Sequence, residues 1–374
     1  MLIEKHFNEN QKDNKKRRQT LNYIAFIKFL AMFLIIRWHL FIKIKYKIKY
    51  RINYGARMCE FLFVSSGFLV GYNYYKRELP STYYTSFKYT YKHLRSFYPL
   101  HIINTFYSIY TYKDKFNLTD YEMLVFNFLL IKVWSRHSKF ALCFNGISWF
   151  ISDLLFCYFL TPFLLGGIIN INNSLIIFSF VAFLRIGIEL LIKNGAENIF
   201  DINFHYHPVI RLMEFYLGML MIPLFLKIKY FLDKNRNKLY LLHTFTIIQI
   251  IFPIIIYFIM LEFNFKLNIC YFILIFCLCI FLISYDYGYL SNIIKKKVIQ
   301  EIISCQMEMY LLHLNLNSIL LKILKSLLTK NNELIFLIKS IFIFIISYFY
   351  KKIFRQKLAI IMDKIINLLK KLFI

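Results

Sequence analysis

The stretch IKFLAMFLIIRWHLF, residues 27–41, reads as part of an apolar helix long enough to cross a membrane, yet it holds Lys28, Arg37 and His39. Charge and imidazole are costly in hydrocarbon, so such residues face a bundle interior or snorkel to an interface. Lys28 and His39 are eleven residues apart. That is close to three helical turns, which places them roughly on one face and ~16 Å apart along the axis. Arg37 lies about 160° around the helix from His39 and reads as an interface anchor. His39 alone is open to two readings, a packing residue or a functional base.

The rest of the chain has the same character. Its 374 residues are 59% hydrophobic and 20% aromatic, with only 10 Gly and 6 Pro, and the mean hydropathy is +0.52. Ten apolar runs recur, at 21–42, 56–75, 96–112, 148–167, 174–192, 208–226, 239–261, 268–285, 302–321 and 333–350. Runs of this length suit helices across a ~30 Å hydrocarbon core. The expectation is an all-α polytopic membrane protein with about ten transmembrane helices. A β-barrel would need many alternating segments, and only KIKYKIKYR, residues 43–51, alternates. That piece is expected to be an edge ribbon or interfacial. The run 122–133 is too short to span and is expected to be interfacial or re-entrant.

Three regions follow: a basic cytoplasmic tail at 1–20, one membrane domain over 21–350, and a basic amphipathic tail at 351–374 lying on the membrane surface. With the N-terminus inside, inner segments hold 26 Lys and Arg against 16 in outer ones. This predicts both termini inside, in the cell membrane. The first twenty residues lack an apolar core, so no cleavable signal peptide is expected.

The net charge of +27 does not point to nucleic acid, because the basic residues punctuate apolar runs and form no single patch. Seven cysteines fall mostly inside apolar runs with no CxxC pair, which gives no zinc spacing. His205-Tyr206-His207 finds no completing ligand nearby except Asp201, so no metal site is expected. No internal repeat is apparent, which argues against a transporter built from repeated halves.

The second run, CEFLFVSSGFLVGYNYY at 59–75, opens on an acid, Glu60, followed by the small step Ser65-Ser66-Gly67. Small residues let helices approach closely. A carboxylate near a histidine can fix its tautomer and raise its basicity. Glu60 would equally suit a helix N-terminus.

Lys28-x10-His39 followed by EFLFVSSGFL resembles the membrane acyltransferase-3 family. So do, in order, KHLRSFYP with Lys92 and Arg95, SWFIS with Trp149, PVIRLMEFYLGML with Arg211 and Glu214, and MEMYLLH with Tyr310 and His313. The resemblance runs from about 21 to 350. It departs where the family usually has arginine at the Lys28 position. Ser65 also stands where an apolar residue is common, and Gln306 where a serine often precedes the Tyr-Leu-x-His step.

The resemblance implies transfer of an acyl group, commonly acetyl, from coenzyme A to a sugar hydroxyl of an envelope glycan. Acyl-CoA would be a co-substrate, with no tightly bound cofactor. The partners would be a carbohydrate or lipid-linked glycan and membrane lipid. His39 is then the general base, with a covalent acyl-histidine open as a second course. Glu60 orients or polarises it. Lys28, Lys92 and Arg95 meet the donor's phosphates, and the Lys28–His39 separation is comparable to the reach of a pantetheine arm. Ser66, Trp149, Arg211, Glu214, Tyr310 and His313 are substrate-facing or structural. Two rival readings remain: a transporter or flippase for a glycan or lipid-linked sugar, and a non-catalytic assembly subunit.

Overall fold

The computed structural model describes residues 21–43, 54–75, 79–112, 118–135, 138–193, 204–235, 238–262, 271–324 and 332–372. The tail 1–20, most of the alternating stretch 43–51, and Asp201 lie outside them. All regular structure among the described residues is helical. In chain order the α-helices are α1 (Asn22–Lys43), α2 (Tyr54–Tyr74), α3 (Tyr83–Leu94), α4 (Tyr98–Tyr112), α5 (Leu118–Phe128), α6 (Ser138–Leu142), α7 (Trp149–Gly166), α8 (Ile171–Lys193) and α9 (Pro208–Leu220). They continue with α10 (Ile222–Lys234), α11 (Leu239–Glu262), α12 (Phe272–Ile283), α13 (Tyr289–Ile294), α14 (Lys297–Ile303), α15 (Gln306–Leu324), α16 (Asn332–Tyr350) and α17 (Gln356–Leu372).

Among the described residues, six helical stretches are long and apolar enough to cross a membrane: Asn22–His39, Gly146–Gly166, Ile171–Ile192, Pro208–Lys234, Leu239–Phe258 and Leu334–Leu368. The other four expected spans fall on α2, α4, α12 and α15. Of these, α4 has 15 residues and α12 has 12. The helices α2 and α15 are long but polar, carrying Arg57, Glu60 and Ser66, and Glu308, His313 and Asn317. Helices covered by neighbours can hold such residues because lipid does not meet them. By contrast α8 and α11 expose apolar faces, with Ile176, Phe180 and Phe183 on one and Ile247, Ile254 and Phe258 on the other.

The centre of the molecule is the crossing of α2 and α9. A Cβ on Gly67 would stand 1.7 Å from the Phe215 carbonyl oxygen, and one on Gly218 would stand 2.0 Å from that of Val64. The two backbones touch, which only glycine permits. Around the crossing pack Phe63, Phe68, Phe215 and Phe225, all buried. Helix α1 lies along α2 and α15, and α7 against α3 and α9. The start of α1 is held from afar: the Asn22 and Tyr23 backbone N–H groups donate to the Asp286 carboxylate at 2.9 and 3.1 Å. A carboxylate there satisfies donors that the first helical turn leaves open.

The segment between α4 and α7 does not form a span. After α5 it turns through Leu130 and Phe144, both at positive φ, with short 3-10 turns and α6 between. Lys132 is buried in this segment and donates to the carbonyls of Cys143 at 3.2 Å and Asn145 at 2.8 Å. Burial lowers its ammonium pKa to about 7.

Candidate functional site

Two cavities are strung along the same three helices, α1, α2 and α7. The first, about 520 Å³, is lined by Lys28, Ser66, Asn73, Tyr89, His93 and Tyr158 among others. Lys28 donates from Nζ to Ser66 Oγ at 3.0 Å. His93 stacks on Tyr158, with ring centroids 4.3 Å apart. The second cavity, about 500 Å³, is lined by His39, Cys59, Trp149, His205, Tyr206 and Tyr310 among others. The ring of His39 stands 5.1 Å from that of His313. His313 holds its Nδ1 2.7 Å from the Tyr310 carbonyl, and the Tyr310 hydroxyl donates to the Ile147 carbonyl at 3.1 Å.

Aromatic rings pack behind the His39 cavity. Phe63 packs on Phe150 at 4.6 Å and on Trp149 at 6.5 Å, and Phe150 packs on Tyr310 at 5.0 Å. Lys28 and His39 therefore open into different cavities of one helix bundle, ~16 Å apart by helical rise.

Beside the His39 cavity lies a buried charge network of three arginines and three glutamates, from α2, α8 and α9. Arg57 donates to Glu60 at 2.7 Å and to Glu189 at 2.6 Å. Arg185 donates to Glu189 at 2.7 Å, to Glu214 at 3.0 Å and to Glu60 at 3.5 Å. Arg211 donates to Glu214 at 2.6 Å. Equal numbers of each sign let six charges share a site that would reject any one alone. The network reaches the cavity through Arg211, which donates from Nε to the His205 carbonyl at 2.9 Å and lies 3.1 Å by Nη2 from His205 Nδ1. That ring nitrogen accepts only when unprotonated. Burial, and next the Arg211 charge, hold the His205 pKa well below its ordinary value.

A family model described as an acyltransferase domain matches residues 21–352. The chain belongs to the acyltransferase-3 family. No curated protein and no solved structure matches it. This protein is therefore a membrane acyltransferase, and its expected site residues fall into three groups, with Lys92 and Arg95 outside them. Lys28 and Ser66 meet in one cavity, and His39, Trp149 and Tyr310 line the other, with His313 against His39. Glu60, Arg211 and Glu214 belong to the ion network, where the carboxylate of Glu60 accepts from Arg57 and Arg185, while His39 has its ring against His313. Arg95 donates to Asp363 on α17 at 2.7 Å and Lys92 is exposed. His93, between them, lines the Lys28 cavity.

The cavity and the ion network also hold residues that the motifs did not single out. Arg57 lies three residues before Glu60, and Arg185 four before Glu189, both within salt-bridging reach on a helix. An arginine and an acid inside the run 174–192 were the available signal. His205 stood out only within His205-Tyr206-His207, weighed for a metal; its tie to Arg211 is set by a turn at Phe204–Tyr206.

Proposed function

We propose that this acyltransferase moves an acetyl group from acetyl-CoA to a hydroxyl of a cell-envelope polysaccharide. Residues 21–350 form one domain of about ten membrane-crossing helices in the cell membrane. Both termini are inside, and the tail 351–374 lies on the inner surface. The observation that carries the reading is the arrangement of Lys28 and His39 in two cavities along one bundle. Lys28, with Lys92 and Arg95 nearer the surface, meets the phosphates of the donor. The pantetheine arm runs along α1 toward His39. The acceptor hydroxyl enters the His39 cavity, where the imidazole takes its proton as the oxygen attacks the thioester carbonyl. The C–O bond forms, the C–S bond breaks, and the departing thiolate recovers the proton. Glu60 is a positioning residue, acting on the cavity through Arg185, Glu214, Arg211 and His205.

The test is a strain carrying His39→Ala protein at wild-type abundance in the membrane. The expected result is loss of the acetyl mass increment on envelope polysaccharide. Unchanged acetylation would overturn the reading. Normal acetylation with lost polysaccharide export would instead support a transporter.

A further inference from the structure

Asp153 sits on α7 between the two cavities, one turn from Trp149, which lines the His39 cavity, and five residues before Tyr158, which lines the Lys28 cavity. By helical rise it is ~6 Å from the level of Trp149 and ~8 Å from that of Tyr158. It is fully buried, and neither carboxyl oxygen has a hydrogen-bond partner. Arg211, a nearby cation, is committed to Glu214 and His205. A buried acid with both oxygens bare, inside a membrane-spanning helix, is costly to keep. Such a group makes sense where a ligand completes it.

The ligand's chemistry follows from position. A donor arm reaching from Lys28 to His39 must pass this level, where Phe63 packs on Phe150. A pantetheine arm is methylene chain broken by two amides, and the amide nitrogen nearer the sulfur is two carbons, ~4 Å, behind it. With the thioester at the His39 cavity, that N–H arrives at the level of α7 just inside Trp149. Phenyl rings suit the methylenes and cannot satisfy the amide, whereas the acid one turn inward can. Resting on the donor assignment above, we propose that Asp153 accepts an amide N–H of the pantetheine arm and so sets how far the thioester reaches toward His39.

The experiment is equilibrium binding of acetyl-CoA to the full-length protein in lipid nanodiscs. A second ligand is synthetic acetyl-CoA in which an ester replaces the amide nearer the sulfur, removing one N–H. Asp153→Asn keeps an acceptor and the shape, and its affinity for acetyl-CoA is expected within about threefold of wild type. Asp153→Leu is expected to bind acetyl-CoA about tenfold more weakly, as for loss of one hydrogen bond to a charged or strongly polar group. Wild type should discriminate against the ester ligand by a similar factor, and Asp153→Leu should not. Wild-type affinity in Asp153→Leu, equal losses in the Asn and Leu variants, or full discrimination against the ester in Asp153→Leu would each overturn the proposal. A wild-type protein that binds no acetyl-CoA would overturn the donor assignment itself, and this inference with it.

Discussion

His205 lines the cavity that holds His39 and presents Nδ1 to Arg211. It is held neutral in the folded chain, so below its ordinary value of 6.5 only the unfolded chain takes up the proton. Stability should therefore fall as pH drops through that value. The unfolding temperature of detergent-solubilised protein should be lower at pH 5 than at pH 7.5. His205→Gln, which keeps an acceptor without a titrating ring, should reduce that difference. Lys28 gives a second expectation. Lys28→Met removes the cation from its cavity and should weaken acetyl-CoA binding about tenfold, while Lys28→Arg keeps the charge and should retain most of the affinity. The pairing of polar residues within one helix was legible in the chain, since Lys28 and His39 share a face by spacing alone. Asp153 was visible as an acid inside the apolar run 148–167, but no motif singled it out. Its isolation was not, because that depends on what the neighbouring helices offer it.

Helices α2 and α9 cross with their backbones in contact at Gly67 and Gly218. Gly218→Ala would put a methyl into the Val64 carbonyl, and backbone cannot step aside as a flexible side chain can. The expected cost is about 3 kcal/mol or more of stability, read as a lower unfolding temperature or loss of folded protein. Gly187 on α8 meets nothing within 4 Å, so Gly187→Ala should leave stability equal or slightly higher. The C-terminal helix α17 behaves differently. Its Asp363 accepts from the Tyr91 hydroxyl at 2.5 Å and from Arg95 at 2.7 Å. Burial and then this carboxylate push the Tyr91 phenol up to about 12. The Arg95–Asp363 pair is 45% and 32% exposed, so it contributes little, under about 1 kcal/mol. Arg95→Ala should leave the unfolding temperature nearly unchanged, so any loss of acetyl-CoA binding in that variant would report on phosphate contact.

Across the whole molecule, the network of Arg57, Glu60, Arg185, Glu189, Arg211 and Glu214 ties α2, α8 and α9 together beside the His39 cavity. Arg185→Leu would leave Glu214 with Arg211 alone and would remove one of two partners from both Glu60 and Glu189. Breaking a buried pair from one side costs about 3–5 kcal/mol, so this variant should be among the least stable, as seen by thermal unfolding in detergent. Hydropathy is a local property and survives any arrangement of the helices. The all-helical class, six of the ten expected membrane-crossing runs among the described residues, and the motifs of an acyltransferase could be read from order along the chain. Which polar group meets which could not. Asp286 caps α1 across 264 residues of chain, Glu60 turns to arginines, His39 turns to His313, and His205 enters the site from a turn. Those pairings follow from where glycine lets α2 and α9 touch and how α1 and α7 then fit around them, and spacing within a helix carries no record of that packing.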